Sequence, residues 1–104
     1  MAASRVEIFE QMLAGDPTNT AVLFGLAKEY EKADDLPKLI EALERYLAAA
    51  DDEGNAYGML ARAYERMNQS DKAREAYTRG VDAATAHGHP GMADEYRQNL
   101  KHAF

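Results

Sequence analysis

The sequence predicts an all-α chain of about six helices, and three observations carry that expectation. Apolar residues recur at helical spacing: Leu23, Leu26, Ala27 and Tyr30 stand 3, 1 and 3 positions apart, one stripe of an amphipathic helix. No useful length of chain alternates apolar and polar residues with period two, which argues against strands. The chain also matches itself when shifted by 34 residues. In that register Leu23 meets Tyr57, Leu26 meets Leu60, Ala27 meets Ala61 and Tyr30 meets Tyr64. Ala42, Leu43 and Leu47 likewise meet Ala76, Tyr77 and Val81, and Ile8, Phe9 and Leu13 extend this second series backward. A period of this length marks one supersecondary unit that buries its apolar face by stacking on its neighbours.

The first helix is expected near 4–14, where Ile8, Phe9 and Leu13 carry the repeat. Asp16-Pro17-Thr18-Asn19 ends it, because Pro17 cannot continue a helix, and supplies cap oxygens for a second near 19–32. Asp34-Asp35 precedes a third near 36–49, whose apolar side is Leu36, Leu39, Ile40, Leu43 and Leu47. Pro37 fits its first turn, where a missing N–H is harmless. Asp51-Asp52-Glu53 places negative charge at the start of a fourth near 53–67, favourable against the helix dipole. Ser70 or Asp71 is the expected cap of a fifth near 70–86, and His87-Gly88-His89-Pro90-Gly91 separates it from a sixth near 90–102. That last helix carries Met92, Ala93, Tyr96, Leu100 and Phe104 on one side and Asp94, Glu95, Arg97, Gln98 and Lys101 elsewhere, the pattern of a capping helix.

Composition narrows the function classes. At 104 residues the chain is long enough for one domain. It has no cysteine, which excludes a disulfide framework, a thiolate nucleophile and Cys-based zinc sites. A formal charge of −6 argues against a nucleic-acid backbone binder and against an anionic membrane surface. The longest apolar run, Ala21 to Ala27, is far short of the ~20 residues of a spanning helix. Glu7 stands where a signal peptide would be apolar, so a cytoplasmic location is expected.

These residues resemble the tetratricopeptide repeat (TPR) family, whose unit is two antiparallel helices in 34 residues. Leu23, Leu26, Ala27, Tyr30, Leu43 and Leu47 match its pattern in one repeat, and Tyr57, Leu60, Ala61, Tyr64, Ala73, Tyr77 and Gly80 in the next. Phe9, Met12, Leu13 and Pro17 look like the closing half of an earlier unit. The departures are Leu39 and Tyr46, where the family favours Ala, and Asp51 and Thr85, where it favours Pro. Tyr46 should therefore need a roomy neighbour or partial exposure. The resemblance implies a short right-handed superhelix in a single domain: a half repeat over 1–19, repeats over 20–53 and 54–87, and a capping helix over 88–104.

It also implies a protein-interaction module in which the first helix of each pair lines a concave groove for a peptide or partner segment. The expected groove stripe is Ala21, Phe24, Lys28 and Glu31, then Asn55, Gly58, Met59, Arg62, Glu65 and Arg66. Phe24 and Met59 would offer apolar contact, and Gly58 room for a partner's backbone. Lys28, Arg62 and Arg66 would suit an acidic peptide or a C-terminal carboxylate. The alternative is that Arg62, Glu65 and Arg66 only pair with one another on a solvated surface. A different class of function is assembly: the first helix lacks its own partner, and Ile8 or part of Phe9 would then support a weak homodimer.

Catalysis finds no footing in the sequence. His87, His89 and His102 lack an obvious third ligand, so no metal or other cofactor is expected. Ser4 and Ser70 lack a base, and the acidic runs read as helix starts. Gly25, Gly58 and Gly80 fall within helices, where they permit close packing and do not form a phosphate loop. Tyr30, Tyr57, Tyr64, Tyr77 and Tyr96 follow helical spacing and repeat register and are expected in the core.

Overall fold

A computed structural model describes residues 4–103, and Phe104, expected on the last helix, lies outside the described residues. Among the described residues there are six α-helices and no strand: α1 (Arg5–Gly15), α2 (Thr20–Lys32), α3 (Leu36–Ala49), α4 (Asn55–Arg66), α5 (Ser70–Ala86) and α6 (Pro90–Ala103). The chain divides into two compact units, Met1–Ala50 and Asp51–Phe104. In the first, α2 packs against both α1 and α3; in the second, α5 packs against both α4 and α6.

Local chemistry sets the boundaries. Ser4 caps α1, its hydroxyl accepting from the Glu7 N–H at 3.1 Å. Asn19 caps α2 by accepting from the Val22 N–H at 3.1 Å, and Asp35 caps α3 by accepting from the Lys38 N–H at 3.3 Å. Each side-chain oxygen satisfies a backbone donor that the first turn leaves without a partner. At α4 the Asp52 carboxylate accepts from the N–H groups of both Gly54 and Ala56, at 2.9 and 3.0 Å. Gly54, with φ of 131°, turns the chain there, so α4 starts two residues later than its acidic run suggested. The cap of α5 differs from expectation. Gln69 occupies that position without a side-chain bond, Ser70 opens the helix, and Asp71 lies in the first turn.

The repeat also governs the turns that end helices. Asp34 and Asn68, 34 residues apart, both adopt the left-handed conformation at φ of 58°. After each, an N–H bonds back into the helix: Asp35 to the Tyr30 carbonyl at 3.0 Å, and Gln69 to the Tyr64 carbonyl at 2.9 Å. Gly88, with φ of 76°, precedes the same closure from His89 to the Ala84 carbonyl at 2.8 Å. Such closures satisfy carbonyls that a helix end would leave unpaired.

Burial follows the register. In the first unit Leu13, Val22, Leu23 and Leu26 form a buried cluster, with Val6, Phe9, Tyr30 and Tyr46 packed against it. Leu39, Ala42, Leu43 and Leu47 of α3 are buried too. In the second unit Leu60, Ala61 and Tyr64 of α4, Ala73, Ala76 and Tyr77 of α5, and Ala93 and Tyr96 of α6 are buried. Leu23, Leu43 and Leu60 are wholly enclosed. Enclosing such a side chain contributes about 1.5–3 kcal/mol. Of the tyrosines expected in the core, Tyr64, Tyr77 and Tyr96 are buried, whereas Tyr30 and Tyr57 are half-buried. Tyr46 is also half-buried, and its ring tilts against Phe24 at 5.1 Å between centroids.

The internal glycines serve packing. A Cβ on Gly58 would collide with the Tyr96 hydroxyl, and one on Gly80 would stand 2.9 Å from the Tyr96 ring and 3.0 Å from Tyr57 Cβ. Tyr96 is only 3 % exposed, its hydroxyl donates to the Gly54 carbonyl at 2.9 Å, and its ring meets Tyr77 at 5.8 Å. Gly25 takes the Phe9 ring of α1, whose nearest carbon would stand 3.0 Å from an added Cβ.

Candidate functional site

The expected partner-binding residues of the first unit lie on α2. Ala21, Lys28 and Glu31 are exposed, and Phe24 is half-buried beneath Tyr46. The Lys28 ammonium stands 6.0 Å from the centre of the Phe24 ring and 3.3 Å from the Glu31 carboxylate. Lys28 and Glu31 therefore largely neutralise each other, and in water such an i,i+3 pair contributes only a few tenths of a kcal/mol. What α2 presents is an aromatic edge flanked by one ion pair.

Those of the second unit lie on α4, and the helix divides them. Asn55, Arg62 and Arg66 are exposed, Glu65 is half-buried, and Gly58 and Met59 are buried. Met59 lies inside with 6 % exposure, its sulfur 4.0 Å from the Asn55 amide nitrogen. The space at Gly58 is filled by Tyr96. Glu65 accepts a hydrogen bond of 2.6 Å from the Tyr77 hydroxyl of α5. Burial first, then that bond and the Glu65 charge, push the Tyr77 hydroxyl well above the ordinary tyrosine range, while the Arg62 charge pulls the other way. Burial also raises the Tyr96 hydroxyl, again opposed first by Arg62. Arg62 is exposed, and its positive charge acts on both tyrosine hydroxyls.

The histidines find acidic or amide partners. His87 Nε2 lies 3.1 Å from Asp51 Oδ1 and His89 Nε2 lies 2.5 Å from Glu53 Oε1, joining the α5–α6 turn to the chain entering α4. His102 meets Gln98 at 3.2 Å. Among the described residues no group of three or more His, Cys, Asp or Glu side chains is placed to hold a metal ion. Among them too, no helix is long and apolar enough to cross a membrane. Sequence reasoning did not pair Glu65 with Tyr77, or Tyr96 with Gly58, because both contacts join different helices.

With the repeat register, the helix pairs and their surfaces established, known proteins supply the remaining test. No protein-family model matches the chain. A TPR repeat-containing protein of Pseudomonas aeruginosa is similar to it, 30 % identical over 83 residues that cover 80 % of this chain and 79 % of that protein. The chain belongs to the tetratricopeptide repeat family. Its departures from the TPR pattern are accommodated locally: Leu39 is buried, Tyr46 leans on Phe24, and Asp51 and Thr85 are exposed. TPR modules as a class mediate protein–protein interaction and are typically not enzymes.

Proposed function

We propose that this TPR module holds an acidic segment of a partner protein, and that in the second unit the exposed side of α4 around Arg62 and Arg66 is the working surface. The observation that supports this reading is the 2.6 Å hydrogen bond from Tyr77 to Glu65. That bond turns the Glu65 carboxylate toward α5, while Arg62, one turn away on the same helix, is exposed. An arginine at the surface, backed by half-buried polar groups, suits bidentate pairing with a carboxylate. Asn55 would add an amide on the same helix. On α2, Phe24 with Lys28 and Glu31 would supply a second contact of mixed character. Met59 and Glu65 would act from beneath, by packing and by positioning.

The test compares wild type with Arg62→Glu/Arg66→Glu in affinity capture from lysate of the source cells, with captured proteins identified by mass spectrometry. Loss of specific partners from the charge-reversed protein supports the α4 surface, and an unchanged partner set overturns it. A second reading, self-association through α1, is favoured by Ile8 and Met12, which are 45 % and 48 % exposed. Ile8 stands in the register position where Ala42 and Ala76 are buried. A dimer in sedimentation that Ile8→Asp/Met12→Asp abolishes would select this second reading.

A further inference from the structure

Among the described residues, the two large apolar side chains left exposed both belong to α1: Ile8 at 45 % and Met12 at 48 %. With Arg5 and Gly15 they stand 3, 4 and 3 positions apart, which places all four on one strip of the helix. Alternating spacings of 3 and 4 make the seam along which two helices pack. The strip is distinct from the side that α1 already uses, where Leu13 is buried and Val6 and Phe9 pack against the first unit's cluster. Glu7 and Glu10 fall off the strip at about 100° per residue, and Glu10 accepts from the Tyr30 hydroxyl at 3.3 Å. At its far end the strip is bare, since a Cβ added to Gly15 would meet nothing within 4 Å.

We propose, resting on the reading of self-association through α1, that this strip packs against the same strip of a second copy, with the two helices antiparallel about a two-fold axis. Charge selects both the partner and the direction. Arg5 opens the helix and Asp16 follows its last residue, and both are exposed. Antiparallel alignment sets Ile8 against Met12 of the partner subunit, and the two-fold repeats the contact in reverse. The same register brings Arg5 of each copy to the end of α1 that carries Gly15 and Asp16 in the other. Opposite charges then meet at both ends, whereas a parallel alignment would set Arg5 against Arg5 and Asp16 against Asp16.

The strip can accept this contact. Arg5 stays reachable, because its approach to Glu29 is long, 3.8 Å, and its side chain is 73 % exposed. Gly15 leaves room for the partner's arginine stem beside the backbone. Ser4 and Gln11, which flank the strip on one side, are uncharged and add no repulsion. A helix of 11 residues is about 16 Å long, so the contact falls short of the ~1,200 Å² of a stable interface. The dimer is accordingly weak and exchanges its copies freely.

The chain has no cysteine, so single substitutions report the alignment directly. Ile8→Cys and Met12→Cys chains are mixed in equal amounts at high concentration and brought to equilibrium in a glutathione redox buffer. Both positions are exposed, and unchanged circular dichroism will establish that each variant folds. Antiparallel helices bring the thiols of unlike chains together, whereas those of like chains stand about 6 Å apart along the axis in addition to the spacing between helices, beyond disulfide reach. The mixed disulfide is expected to exceed either like disulfide at least about fivefold, against the roughly twofold of random pairing. Arg5→Glu in both chains should lower it at least about threefold, and adding Asp16→Arg should restore it. An excess of like disulfides would leave self-association standing and overturn the antiparallel alignment. Random pairing, or no more disulfide than in denaturing urea, would overturn both. A mixed disulfide that Arg5→Glu leaves undiminished would overturn the selection of a second copy by charge.

Discussion

In the first unit an aromatic ring of the terminal helix, Phe9 of α1, lies on one glycine of its neighbour, Gly25; in the second, Tyr96 of α6 lies on two, Gly58 and Gly80. The chemistry is the same in both, since removing a Cβ lets a ring approach a helix backbone. The depth differs. Phe9 stays half-buried, and its helix leaves Ile8 and Met12 exposed. Tyr96 is enclosed, its ring tilted against Tyr77, and it is fastened by its hydroxyl to the Gly54 carbonyl. A closing helix with a polar outer side completes the second unit, whereas α1 keeps an apolar side available for something else. One terminal helix is closed over by its ring contacts, and the other leaves part of its apolar side exposed.

The strongest challenge to this contrast is to fill the Tyr96 cradle. Gly80→Ala would press a methyl group against the middle of the ring and against Tyr57 Cβ, neither of which can swing aside. Overpacking costs about 1–3 kcal/mol, and the added alanine returns up to about 1 kcal/mol of helix propensity. A net loss of about 1–2 kcal/mol is expected, or roughly 4 °C or more in Tm by thermal circular dichroism. Gly58→Ala should cost a similar amount, because its Cβ would strike the hydroxyl oxygen and, at 2.8 and 2.9 Å, two carbons of the ring. Combining it with Tyr96→Phe removes the nearest of the struck atoms, so the double variant should be more stable than the sum of the single losses predicts. Strict additivity would mean that Gly58 accommodates the ring and not the hydroxyl.

The Gly58 position also measures how far the sequence could be read. Helix spans, the 34-residue register and the caps at Asn19 and Asp35 were legible, because each depends on residues within one turn of one another. The apolar side of α6 was legible for the same reason, and Ala93 and Tyr96 are buried on it. The site was less so. Gly58 reads as space for a ligand until α6 is known to fill it, and Met59 reads as surface from a stripe one residue too wide. Glu65 shares a helix with two arginines, yet its partner is Tyr77, twelve residues away on α5. Contacts between helices leave no local signal, and they decide which side chains remain at the surface.

Tyr96→Phe by itself probes the fastening without disturbing the packing. It removes one hydroxyl and leaves the Gly54 carbonyl without that donor in a buried place. Losing one partner of a buried hydrogen bond costs about 1–2 kcal/mol. Hydrogen exchange should locate the effect: amides of α6 are expected to lose protection more than those of α1. A uniform loss along the chain would show that α6 is not a separately fastened element.

The smallest effect is expected where the contrast says the packing is loose. Gly25→Ala places its methyl 3.0 and 3.2 Å from two carbons at the tip of the Phe9 ring, closer than most such contacts but short of collision. Phe9 is half-buried on a helix whose other side is open, so the ring needs to yield only a few tenths of an ångström. The gain of up to about 1 kcal/mol in helix propensity then offsets the crowding, and stability should change by no more than about 0.5 kcal/mol. A loss as large as that of Gly80→Ala would make Phe9 as tightly held as Tyr96. The exposed side of α1 would then belong to a rigid surface, and self-association through Ile8 and Met12 would need no adjustment of the helix that carries them.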